Sequence, residues 1–192
     1  MKKITRDEIL DIATYERARP DMRTEAMATK SKRRISVGDK ITLLFENRIT
    51  VRNQIHEMMR AERIVFEEAI EEEIEIYNEI MPNDGGLAAT MFIEIPELED
   101  VQPVLDTLLG IDECVSIDVD GVDPVTARPD TRQRREDRIS AVHYIQFPFT
   151  EEQHTAISDL TTRAKIRVEH KHLSAAANIP NEMRRELLFD LE

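Results

Sequence analysis

Five turn-forming residues, Pro82-Asn83-Asp84-Gly85-Gly86, stand where the periodicity of the chain changes. Before them apolar residues recur at helical spacing: Val51, Ile55, Met58 and Met59, then Phe66, Ile70, Ile74, Tyr77 and Met81. After them Leu87, Ala89, Met91, Ile93 and Ile95 fall on one side of an extended chain, the mark of a strand with one buried face. A switch from a period of 3.6 to a period of 2 excludes an all-helical bundle. The expected division is an N-terminal helical part over residues 1–86 and an α+β part over 87–192, packed as one unit.

Within the first part, Thr5 can cap a helix from Arg6, and Pro20 should end or restart it, because proline lacks an amide donor and crowds the preceding turn. Arg33–Val37 and Lys40–Phe45 read as a short hairpin around Gly38-Asp39. Thr50 is placed to cap a helix running to Arg63, and an acidic helix follows to about Met81. In the second part, the reading is strand Leu87–Ile95, helix Asp100–Leu109, strand Cys114–Val119 and a polar loop Asp120–Asp137. Strand Ile139–Phe147, a helix opened by the capping box Thr150-Glu151-Glu152-Gln153 and strand Lys165–Glu169 complete it. A last helix, Pro180–Leu191, carries Met183, Leu187, Leu188 and Leu191 on one side. The fold class is therefore α+β: N-terminal helices with a short β-hairpin, then a ferredoxin-like, split β-α-β-β-α-β antiparallel sheet and a C-terminal helix.

Charge narrows the partners. The 192 residues carry a formal net charge of −13. Residues 64–123 hold 18 Asp/Glu and no Lys or Arg, whereas residues 1–63 hold 15 Lys/Arg against 10 Asp/Glu. Nucleic acid is disfavoured as a ligand, since counterion release needs a basic footprint; a local basic patch at Lys30, Lys32, Arg33 and Arg34 is the exception. The glutamates of the acidic helix form either a solvated face or a docking surface for a basic partner. No apolar run reaches the ~18 residues of a membrane helix, and Met1–Asp7 lacks the apolar stretch of a signal peptide. Cys114, the single cysteine, allows no internal disulfide, so a cytoplasmic setting is expected.

Phe45-Glu46-Asn47-Arg48-Ile49-Thr50-Val51, followed by Gln54-Ile55-His56-Glu57-Met58 and Arg60-Ala61-Glu62-Arg63, resembles the domain-of-unknown-function family numbered 3501. Tyr15-Glu16-Arg17, Arg33-Arg34-Ile35, Tyr77-Asn78 and Arg138-Ile139-Ser140-Ala141-Val142 extend the resemblance along nearly the whole chain. It implies a bacterial or archaeal protein in the company of rubrerythrin-like di-iron proteins or iron–sulfur partners, in oxidative stress or electron transfer. It assigns neither a catalytic residue nor a cofactor.

The densest polar constellation is Glu46, Asn47, Arg48, Arg52, Gln54, Glu57, Arg60 and Glu62, at a strand-to-helix handover. Arginine forks suit carboxylate or phosphate, so this segment is either an anion or partner pocket at a helix N-terminus or an internal salt-bridge network. Candidate metal ligands are His56 with Glu57, Glu151 with His154 in one Glu-x-x-His step, and His170 with His172. One such step does not make a di-iron bundle, which needs two. Asp118–Asp123 lacks the later ligands of a calcium loop, His143 reads as a core histidine, and Cys114 has no basic neighbour to activate it. The expected role is an accessory or interaction protein, with a metal-binding protein or metal-dependent enzyme and a small-anion sensor as alternatives. A homodimer is expected from the apolar residues between Thr50 and Met81.

Overall fold

The computed structural model describes residues 1–83, 85–96, 101–130 and 139–191. Helix α1 (Ile12–Lys32) is followed by hairpin strands β1 (Arg34–Val37) and β2 (Ile41–Phe45), then α2 (Arg48–Glu62) and α3 (Glu67–Asn78). Next come β3 (Gly86–Ile93), α4 (Val101–Thr107), β4 (Val115–Val119), β5 (Val125–Thr126), β6 (Arg128–Pro129) and β7 (Val142–Pro148). Helix α5 (Glu151–Ser158), β8 (Ala164–His170), β9 (Leu173–Asn178) and α6 (Asn181–Leu191) close the chain. The chain is thus an α+β protein. Among the described residues no helix is long and apolar enough to cross a membrane.

The strands do not form one split β-α-β-β-α-β sheet. They divide between two antiparallel sheets, β1-β2-β3-β7-β6 and β5-β4-β8-β9. Segment 125–130 supplies the corner. Val125 pairs with Ile117 and Ala127 donates to the Val115 carbonyl, while Arg128 pairs with Gln146 and Pro129 with Ile145 on the other sheet. At the opposite end β1 meets β9 at Gly38, whose φ is +66° and whose added Cβ would lie 2.9 Å from the Ala175 Cβ. Side chains from both sheets, including Leu43, Met91, Ile117, Ile145 and Ile166, fill a single core with Leu105 and Leu187. The hairpin belongs to this sheet system, because β2 pairs with β3 across the Pro82–Gly86 breaker.

A second apolar cluster joins Ile4 and Ile9 to Val51, Ile55, Met59, Ile70, Ile74 and Met81. Most apolar residues of α2 and α3 thereby find their cover inside the chain, whereas Phe66 before α3 and Ile76 on it stay exposed. β2 is buried at every position, whereas β4 alternates between buried and half-buried residues.

Local departures have local causes. Thr5 opens only a 3-10 turn (Arg6–Glu8), and α1 starts after Asp11, whose Oδ1 accepts from Thr14 N at 2.9 Å. Helix α1 runs through Pro20, which is exposed, and the buried Tyr15 and Ala26 anchor the helix on either side of it. The cap of α2 is Asn47 rather than Thr50; Thr50 stands three residues in and returns its oxygen to Asn47 N at 2.9 Å. The Asp100 start of the predicted helix and residues 131–137 of the predicted loop lie outside the described residues.

Candidate functional site

Asn47 positions the Glu46–Arg63 segment. Its Oδ1 accepts from Ile49 N and Thr50 N, so the amides at the α2 N-terminus are engaged by the chain's own cap. Directly before it Glu46 is 1% exposed. Thr50 Oγ1 and Thr90 Oγ1 each donate to its carboxylate at 2.5 Å, and Gln54 Nε2 donates at 3.0 Å. Three donors compensate the desolvation of a buried acid at the junction of β2, β3 and α2.

The arginines of α2 reach outward to other elements instead of pairing along the helix. Arg48 donates to the Lys3 carbonyl at 2.8 Å and to Glu8, holding the Glu8 carboxyl down at about 2. Arg52 lies 3.5 Å from Glu25 and Arg60 is 2.6 Å from Glu16, both on α1. Glu57 receives a fork from Arg19, at 2.7 and 3.0 Å, and the Tyr15 hydroxyl at 2.6 Å. Glu62 is exposed near the end of α2, where Arg63 stops the helix at φ 55°.

His56 is 1% exposed and stacked on Tyr15, with ring centroids 4.6 Å apart. Its Nε2 accepts from Leu10 N at 3.0 Å, which leaves Nδ1 to donate to the Arg52 carbonyl at 2.9 Å. Burial lowers its pKa and favours this neutral form. Both ring nitrogens are thus engaged by backbone groups.

The other weak metal candidates stand apart. Glu151 and His154 lie on α5, and the turn between β8 and β9 carries His172 beside His170, ring centroids 5.8 Å apart. His170 Nε2 lies 3.2 Å from the Leu109 carbonyl. Among the described residues no three His, Cys, Asp or Glu side chains converge as metal ligands. Asp118 is engaged by Arg167 at 2.8 Å, Asp120 by Arg163 at 3.0 Å, and His143 Nδ1 lies 3.4 Å from Asp112. Burial pushes the Cys114 thiol up, away from reactivity.

Buried charges fix the frame. Arg33, one of the four residues of the expected basic patch, is fully buried, donating to the Phe45 and Glu46 carbonyls and to Asp190 of α6. Arg34 beside it pairs with Glu94 at 2.7 Å, which leaves Lys30 and Lys32 as the members of the patch with no ion pair among the described residues. Arg184 is 1% exposed and donates to the carbonyls of Ile157, Asp159 and Thr162, tying down the end of α5. The sequence signal for Arg184 and Asp190 was their position beside Met183, Leu187 and Leu191 on α6.

The acidic stretch is different. Glu67 pairs with Arg6 and Glu79 with Lys3, but Glu68, Glu72 and Glu75 are exposed on α3 and have no ion pair among the described residues.

The model of the protein-of-unknown-function family DUF3501 matches residues 3–191. The chain belongs to this family. A crystal structure of a protein of unknown function from Burkholderia pseudomallei is similar along both whole chains, with 31% identity, 100% coverage of each and a TM-score of 0.93. No curated protein matches the chain. The Asn47-capped handover from β2 to α2 is thus part of a DUF3501 domain occupying essentially the full sequence.

Proposed function

We propose that this DUF3501 protein is a cytoplasmic accessory protein that recognises a protein partner through the acidic outer face of α3, and is not an enzyme in its own right. The observation that carries the reading is the contrast between two sets of charges. Glu46, Glu57, Arg48 and Arg60 are all engaged by the chain's own groups, whereas Glu68, Glu72 and Glu75 project from one helix with no ion pair among the described residues. Carboxylates spaced three and four residues apart weaken a helix by a few tenths of a kcal/mol per pair, so the face costs stability until a cation meets it. Such a surface speeds encounter with a basic patch and loses that effect as salt screens it. The family resemblance suggests rubrerythrin-like or iron–sulfur proteins as partners.

The test is association kinetics with a purified rubrerythrin-like or iron–sulfur protein from the same cell, across a salt series. The expected result is a salt-sensitive on-rate that falls in the Glu68→Gln/Glu72→Gln/Glu75→Gln variant, which stays folded and is slightly more stable. An on-rate and salt dependence equal to the parent's would overturn the reading.

A further inference from the structure

Between α1 and α3, across α2, runs a groove of about 420 Å³ floored by Met58, Ala61 and Tyr77. Its α1 wall carries Arg23, Met27 and Lys30 at helical spacing above the buried Ala26. Met27 is 54% exposed, and neither Arg23 nor Lys30 has an ion pair among the described residues. On the other side, the α3 flank next to Tyr77 carries Phe66, Ala69, Glu73 and Ile76. Phe66 is 75% and Ile76 51% exposed. Glu73 is half-buried, and its charged neighbours are Glu62 and Glu72, so burial first and these acids second push its carboxyl upward.

The α1 wall is therefore basic with an exposed methionine, and the α3 flank beyond the groove carries Glu73 with an exposed phenylalanine and isoleucine, Glu57 and Glu62 lying on the α2 side of the groove. Within one chain the two sets form no ion pair. A two-fold rotation lays each wall against its complement on a second copy, so one operation satisfies both. We propose that two copies of this chain associate about a two-fold axis along this groove, α1 of each copy lying on the partner's α3 flank. The occupant is a second copy because it must present a basic–apolar and an acidic–apolar stripe at matching separation, and this chain presents both. The arrangement is isologous and closes at two subunits. It covers Met27, Phe66 and Ile76, and it leaves Glu68 and Glu75 on the outer face of α3 free. It goes beyond the steering role, with which it shares only Glu72, the acidic neighbour of Glu73.

Sedimentation equilibrium at micromolar concentration tests it on four samples. The parent should sediment at twice the 22.2 kDa chain mass. Arg23→Glu/Lys30→Glu and Glu62→Lys/Glu73→Lys should each weaken self-association at least about 100-fold and sediment as single chains, because like charges then face one another. An equimolar mixture of the two variants should recover the doubled mass, since both contacts again join opposite charges. A parent of single-chain mass, variants that dimerise as the parent does, or a mixture that stays at single-chain mass would each overturn the proposal. Ile76→Lys reads the same interface without altering α2, and circular dichroism establishes that each variant is folded.

Discussion

The Tyr15 hydroxyl donates to Glu57 Oε1 at 2.6 Å, joining α1 to α2 through a carboxylate that Arg19 also grips. Burial and this carboxylate push the Tyr15 phenol up, so it acts as a donor throughout the physiological range. The same ring stacks on His56, and one tyrosine thus ties together the two polar groups on which a chemical role for α2 would rest.

That contact gives an acid-stability prediction. Led by the Arg19 fork, the contacts hold the Glu57 carboxyl at about 2, below its ordinary 4.5. As pH falls, the unfolded chain takes up this proton first. The stabilisation is complete above about pH 4.5 and is lost as pH falls towards 2. Glu57→Gln should cost about 1–2 kcal/mol at pH 7 and almost nothing near pH 2. Urea midpoints measured from pH 7 downwards should fall more steeply in the parent than in the variant. Glu8 is present in both proteins, so its contribution cancels. Parallel slopes would show that the Arg19–Glu57 contact does not stabilise the fold.

Arg33 and Asp190 are both buried and join the start of β1 to the last turn of α6. Desolvation lowers the Arg33 pKa to about 10, still high enough for a permanent charge. Asp190→Ala leaves that charge without its main partner and should cost about 3–5 kcal/mol in guanidinium unfolding. Arg34→Ala, which removes an exposed pair with Glu94, should stay within about 1 kcal/mol. Equal costs for the two would refute the burial argument.

Ile145 pairs with Ala89 across β7 and β3 and is 1% exposed, whereas Val142 on the same strand is 37% exposed. Ile145→Ala should cost about 2–5 kcal/mol, and Val142→Ala about 0.5 kcal/mol or less. Chemical denaturation of both variants compares them directly; a cost below about 1 kcal/mol for Ile145→Ala would place it outside the core.

The elements with strong local signals were legible in the sequence. The Gly38-Asp39 hairpin, the Thr150–Gln153 capping box and the apolar stripe of α6 all form where their residues put them. Strand β9 was not legible. Its Leu-Ser-Ala-Ala-Ala-Asn has little β preference, and pairing with β8 from Lys165 to His170 makes it a strand. The turn this creates is why His170 and His172 do not lie on one extended face. The division into two sheets was hidden for a related reason. The strands of Ile117, Ile145 and Ile166 all alternate as half-buried strands do, and alternation records that a face is covered without recording by what.

The same distinction governs the site. The sequence by itself determined which residues are polar, which helices are amphipathic and where the charge is concentrated, because these follow from side-chain chemistry and from periods of 2 and 3.6. Only the tertiary structure decided that Glu57 belongs to Arg19 and Tyr15, that Arg48 belongs to the N-terminal segment, and that Arg33 is interior. Ion pairs act over a few ångströms and hydrogen bonds over about 3 Å, so a partner 38 residues away is chosen by how helices pack rather than by spacing along one of them.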